Sequence, residues 1–344
     1  MSVEQGAIWC AGRTGARALD RRAFIATLGV ATAAAACKPL RARSAAGYPP
    51  PDRELMAPVP GGRVYVRVNG RLDGPKPPLV AIHGGPGGSH AGFLNLLQLA
   101  DERGIILYDQ LDSGLSERPN NPANWTVERF TDEVDAVRRA LGVGHWHVLG
   151  ASWGGTIALE YGARRPRELQ ALVLASPLVS TRSWIADANA LRAQLPAAVQ
   201  ATLKQCDPPA PVTQACEQAT NVFYENFNRR EPASAASTAY VGTHPALRLN
   251  QALYKQMWGS SEFVATGTLK DYNGEPLLAK LEGPRTLFID GQYDEARPST
   301  LGAFAARVPG ADFAVVPGAA HGFVNDRPRE ALGLLRPWLE RQDR

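Results

Sequence analysis

A serine held between glycines has the spacing of a nucleophile: Gly150-Ala151-Ser152-Trp153-Gly154-Gly155 reads G-x-S-x-G. An apolar run, Trp146–Gly150, precedes it, and a helical stretch begins at Thr156. Strand, tight turn and helix form the context in which this pattern lifts a serine hydroxyl to a sheet edge. The helix N-terminus beneath favours the negative charge that develops in acyl transfer. Such a serine needs a base. Of the histidines at 83, 90, 145, 147, 244 and 321, His321 lies in Gly318–Phe323, a loop after the last predicted strand. That position suits the chain order nucleophile, acid, base. His83 reads as a loop organiser, His145 and His147 as structural, and His244 as part of a helical insertion. The acid should follow the apolar run Thr286–Ile289, where Asp290, Asp294 and Glu295 stand. Asp294, beyond the turn at Gly291, is the expected partner of His321; Asp290, which directly continues the strand, is the alternative. A second glycine cluster, His83-Gly84-Gly85-Pro86-Gly87-Gly88, follows the run Pro78–Ile82. Backbone N–H groups there can face an oxyanion, and those of Gly85 and Trp153 are expected to form the hole. A phosphate-binding role fits worse, since the cluster lacks both the Lys-Ser/Thr of a P-loop and a G-x-G-x-x-G spacing.

Short apolar runs at Pro78–Ile82, Ile105–Tyr108, Trp146–Gly150, Leu169–Ala175, Thr286–Ile289 and Phe313–Val316 have the character of buried parallel strands. Arg63–Val68 alternates as a half-buried strand does. Amphipathic helices fall between the runs; the clearest carries Val127, Phe130, Val134, Val137 and Leu141 on one face, from Thr126 to Gly142. This rhythm predicts an α/β fold with a mainly parallel central sheet flanked by helices. It breaks between Pro177 and Gly283, where helical pieces without strand runs predict an inserted cap. The expected organisation is a core of residues 59–177 and 284–344 with a helical cap at 178–283.

The 344 residues are 44% hydrophobic and 20% charged, which excludes a disordered or polytopic membrane chain. A net charge of +4 without a Lys/Arg run gives no reason to expect nucleic acid. Arg21-Arg22 precedes an apolar stretch over 23–36, too short to span a bilayer, which predicts a twin-arginine-type signal peptide over 1–37 and export to the periplasm or a membrane anchor. Ala34-Ala35-Ala36-Cys37 resembles a lipoprotein cleavage box, making Cys37 a candidate lipid anchor. The alternative is ordinary cleavage in the Ala-rich tail, with Cys37 incidental. Residues 38–58 read as a tether. Cys206 and Cys216 bracket a Pro-rich loop and would pair in an oxidising compartment; otherwise they are two buried thiols. No His-Glu-x-x-His pattern or Cys/His cluster suggests a metal, and no cofactor is expected.

Taken together these segments resemble the proline iminopeptidase family of α/β-hydrolase serine peptidases, across nearly all of residues 60–340. HGGPGGSH at 83–90 is similar to the family's oxyanion loop, Tyr108–Gly114 to its D-Q-x-G-x-G segment, and GASWGG at 150–155 to its elbow. GQYDEARP at 291–298 and GAAHGF at 318–323 are similar to its acid and histidine loops. Asp112 departs from the pattern, standing where glycine is usual. The resemblance implies an α/β-hydrolase fold and an aminopeptidase acting on short peptides or aminoacyl amides. It also implies that Glu295 and a cap glutamate bind the substrate's α-amine. Gly259–Phe263, followed by Thr266–Asp271, is similar to the region carrying that glutamate and points to Glu262. The competing readings are a carboxylesterase or lipase, which shares the triad, and a non-catalytic binding protein on the same fold. In either, Glu262 would be a solvated cap residue and Glu295 a loop ion pair.

Overall fold

A computed structural model of the chain describes residues 9–10 and 47–344. Cys37 and the rest of the expected signal peptide, Trp9 and Cys10 excepted, lie outside the described residues. The strands are Trp9–Cys10 (β1), Arg53–Val59 (β2), Gly62–Asn69 (β3), Leu79–Ile82 (β4), Ile105–Tyr108 (β5), Trp146–Ala151 (β6), Leu169–Ala175 (β7), Thr286–Gly291 (β8) and Asp312–Val316 (β9). They form one sheet in the order β1-β9-β8-β7-β6-β4-β5-β3-β2. Pairing is parallel from β5 through β4, β6, β7 and β8 to β9, and antiparallel at both edges.

One expectation needs correction. The tether is not wholly irregular: from Arg53 it runs as β2, in a hairpin with β3. Its neighbouring prolines hide the strand from a sequence reading, and pairing with β3 supplies the order. Trp9–Cys10, within the expected signal peptide, pair with β9. An edge strand presents unpaired N–H and C=O groups, which another segment can satisfy.

The central strands are apolar on both faces because both faces are covered. Val80, Ile82, Val148, Leu172, Leu174 and Phe288 pack with Phe130, Val134 and Val137 of helix α1 (Val127–Leu141) on one side. Leu79, Ala81, Leu149, Val173 and Leu287 meet Leu334, Leu335 and Trp338 of the C-terminal helix Pro328–Gln342 on the other. Each Val, Leu, Ile and Phe side chain among them contributes about 1.5–3 kcal/mol on burial. Helix α1 starts where Thr126 accepts from the Arg129 N–H and ends at Gly142 in left-handed conformation.

Between β7 and β8 the chain leaves the sheet. Helices α3 (Thr181–Arg192), α4 (Ala197–Gln205), α5 (Gln214–Phe227), α6 (Ala235–Thr243) and α7 (Gln251–Met257) follow. Leu191, Leu203, Phe223, Phe227 and Phe263 give part of this insertion its own apolar cluster. A disulfide joins Cys206, just past α4, to Cys216, in the first turn of α5. No helix among the described residues is long and apolar enough to cross a membrane.

Candidate active site

Ser152 sits between β6 and helix α2 (Trp153–Ala163), with φ 58° and ψ −122°. That conformation costs a non-glycine residue on the order of 1–3 kcal/mol. Surrounding hydrogen bonds impose it: the Ser152 N–H donates to Ala175 O at 3.0 Å, and its carbonyl accepts from the N–H of Gly155 and of Leu178. Gly154 is required because a Cβ there would lie 2.1 Å from Ile82 O, at the end of β4. Gly84 is required for access, since a Cβ on it would stand 3.0 Å from Ser152 Cβ.

The glycine loop is held from behind. His83 Nδ1 donates to Gly84 O at 2.9 Å and Nε2 accepts from the Gln110 N–H at 3.0 Å. Burial holds the His83 pKa below the usual imidazole value, which keeps the ring neutral for this role. The Gln110 amide donates to His83 O at 2.8 Å and accepts from the Trp153 indole at 2.8 Å, which ties the loop to the nucleophile turn. The Trp153 N–H, first in α2, has no partner within the helix. Asp112, the unusual residue of this segment, takes φ +64° and accepts from Asn120 N and the Trp125 indole, each at 2.7 Å.

The structure brings Asp294, not Asp290, to His321. Asp294 Oδ1 accepts from His321 Nδ1 at 2.8 Å and from Ala296 N at 2.8 Å. Its Oδ2 accepts from Ser176 Oγ at 2.5 Å and from Gly291 N at 3.2 Å. Asp290 is buried with neither carboxyl oxygen partnered, and burial pushes its pKa well above the carboxylate range. Asp290 makes no hydrogen bond to the ring and does not orient it.

Ser152, His321, Gly84, Gly85, Trp153, Glu262 and Glu295 all line one cavity of about 770 Å³. Ser152 Oγ takes no hydrogen bond among the described residues. Glu262 Oε1 accepts from the Tyr224 and Tyr254 hydroxyls at 2.5 and 2.6 Å. Burial, reinforced by the Glu262 carboxylate, pushes both phenols well above their usual pKa, so they remain donors. Glu295 Oε1 accepts from the Asn228 amide at 2.7 Å, while Oε2 is buried and unpartnered. Burial drives the Glu295 pKa up to about 8, against the pull of His321. For His321 burial lowers the pKa, but the carboxylates of Asp294, Glu295 and Glu262 overcome this and raise it to about 9.

Tyr224, Asn228, Tyr254 and Ser176 belong to this site and carry no sequence signal, because they touch it from separate elements. The end of α5 is also one of the places where the cap joins the core. Phe227 O accepts from the N–H of both Glu295 and His321, at 3.1 and 3.2 Å, and Asn228 O accepts from Gly322 N at 2.8 Å.

The α/β-hydrolase fold family matches residues 77–328. A proline iminopeptidase of Heyndrickxia coagulans is 33% identical over 285 residues, covering 82% of this chain and 96% of that protein. The solved structure of VinJ superposes with a TM-score of 0.76 at 32% identity, over 85% of this chain and all of that one. That of a Mycobacterium smegmatis proline iminopeptidase has a TM-score of 0.73 at 34% identity, over 85% and 99%.

Proposed function

The chain belongs to the α/β-hydrolase family and, within it, to the proline iminopeptidases, and from that premise we propose that it is a serine aminopeptidase. It releases N-terminal proline, or a related residue, from short peptides or amino-acid amides. The observation that carries this reading is the pair of buried carboxylates, Glu262 and Glu295, facing the cavity of Ser152. Glu295 Oε2 is buried without a partner, which a cationic ligand would supply, and an esterase of neutral acyl groups gains nothing from such a site. A protonated α-amine entering water-poor space needs such partners.

In this reading Ser152 Oγ attacks the substrate carbonyl carbon as its proton passes to His321 Nε2. The oxyanion takes the N–H groups of Gly85 and Trp153. Asp294 fixes the ring through Nδ1 and stabilises the imidazolium. His321 then protonates the leaving nitrogen, the C–N bond breaks, and an acyl ester on Ser152 remains. Water attacks this ester as His321 takes its proton, and the free amino acid leaves as the proton returns to Ser152. The twin-arginine pair and the Cys206–Cys216 bridge support placing the enzyme outside the cytoplasm, with Cys37 as its lipid anchor.

The test is a panel of prolyl-, alanyl- and N-acetyl-prolyl arylamides beside p-nitrophenyl esters. Free prolyl arylamide is expected to be cut best, and Glu262→Gln to lower its kcat/KM by on the order of 1–3 kcal/mol. Equal cleavage of the N-acetyl form would show that the amine is not read, and the esterase reading would replace this one.

A further inference from the structure

The two cavity carboxylates differ in what they face. Glu262 is satisfied by two tyrosine hydroxyls. Glu295 keeps one buried oxygen without a partner, and its other oxygen lies 3.6 Å from His321 Nε2. That nitrogen is the one that must receive the Ser152 proton. Here it is paired with a carboxylate, and Ser152 Oγ has no hydrogen bond among the described residues.

We propose that Glu295 keeps His321 protonated at Nε2 in the free enzyme through their ion pair, and that a substrate's α-ammonium group takes over Glu295, sends the Nε2 proton to solvent and frees that nitrogen for Ser152. The inference rests on the aminopeptidase reading, because it needs a cationic ligand at Glu295. It adds that the amine acts on the chemical step as well as on binding.

The surroundings of the ring favour this arrangement. Asp294 holds Nδ1, and Glu295 beside it and Glu262 from the cap act on the same imidazole. Tyr224 of α5 and Tyr254 of α7 remain neutral donors, and Arg229 acts on Tyr224. From α3, Trp184 meets the ring edge-on with centroids 5.5 Å apart and brings no charge. Asp187 and Asp290 each interact with Asp294. Asp294, Glu295 and Glu262 around one buried imidazole outweigh its desolvation and raise its pKa to about 9, so the ring keeps its proton at neutral pH. When an ammonium replaces that proton, one positive charge leaves as another arrives. The buried cavity keeps its net charge, which avoids the cost of an extra unpaired ion. A ligand without an ammonium leaves the base occupied. Neutral esters should therefore be cut slowly near pH 7 and faster as the pH rises toward about 9.

The test compares pH profiles of kcat/KM for prolyl arylamide and for p-nitrophenyl acetate in the wild type and in Glu295→Gln. The variant is expected to cut the prolyl substrate at least about tenfold less well. It should cut the ester about tenfold faster at pH 7, because each unit of fall in the pKa of the base frees about ten times more of it. An ester profile unmoved by Glu295→Gln overturns the proposal, even with prolyl activity lost. Absence of prolyl turnover in the wild type instead overturns the aminopeptidase reading. A second measurement is independent of that variant. Calorimetry of prolyl arylamide binding to Ser152→Ala at pH 7, in buffers of different ionisation enthalpy, should show about one proton released. Binding without proton release overturns the proposal as well.

Discussion

Replacing Asp294 with Asn separates charge from shape at the base. The carboxylate accepts four hydrogen bonds, two on each oxygen. An amide can accept on one side only. With its oxygen toward His321 Nδ1 and Ala296 N, its nitrogen meets Ser176 Oγ, whose hydroxyl can rotate to accept. The Gly291 N–H, at 3.2 Å, is then the donor left without a partner. The fold should therefore survive with a loss of about 1–2 kcal/mol, the cost of one unmade buried hydrogen bond. The catalytic loss should be far larger, because the imidazolium formed as Ser152 attacks no longer meets a carboxylate at 2.8 Å. Turnover is expected to slow by roughly three to four orders of magnitude, on the order of 4–5.5 kcal/mol in the barrier. Carboxylates raise the His321 pKa, so removing one must lower it, and the rising limb of the pH–rate profile should move to lower pH. Asp290→Asn is the control, since it replaces a buried acid whose side-chain oxygens hold no partner and should change turnover less than about threefold. Burst kinetics with a prolyl arylamide, alongside thermal melts, reads both effects. If Asp290→Asn is the more severe change, or Asp294→Asn keeps a tenth of the activity, the assignment of the acid is wrong.

Two further outcomes follow from the cap. Tyr224→Phe and Tyr254→Phe each remove one donor from Glu262 and should each cost about 1–2 kcal/mol in kcat/KM for prolyl substrates, measured by initial rates; a neutral ester cut equally less well would show a general loss of structure instead. Reducing the Cys206–Cys216 bridge should lower stability by about 3 kcal/mol, read as a fall in denaturation midpoint with and without reductant.

The sequence determined those parts of the protein whose signals lie along a continuous stretch of chain. The nucleophile turn was legible because strand, glycines and helix are consecutive, although its conformation is fixed by Ala175, Leu178 and the end of β4. Helix α1 was legible from its cap at Thr126, its stop at Gly142 and the period of Phe130, Val134 and Val137. The run from β4 to β9 was legible because strands covered on both faces are apolar throughout. Strand β2 was not, since Pro-rich flanks mimic a tether and only the hairpin with β3 orders it. Both Asp290 and Asp294 follow β8 in suitable positions, and the choice between them needs the imidazole and Ser176, which arrive from other loops. The amine-facing carboxylates depend on Tyr224, Asn228 and Tyr254 and on the Phe227 carbonyl, which joins the cap to both loops of the base and its acid. No spacing along the chain encodes that convergence: it exists only once the cap is docked, because buried charges find their partners across elements and not along them.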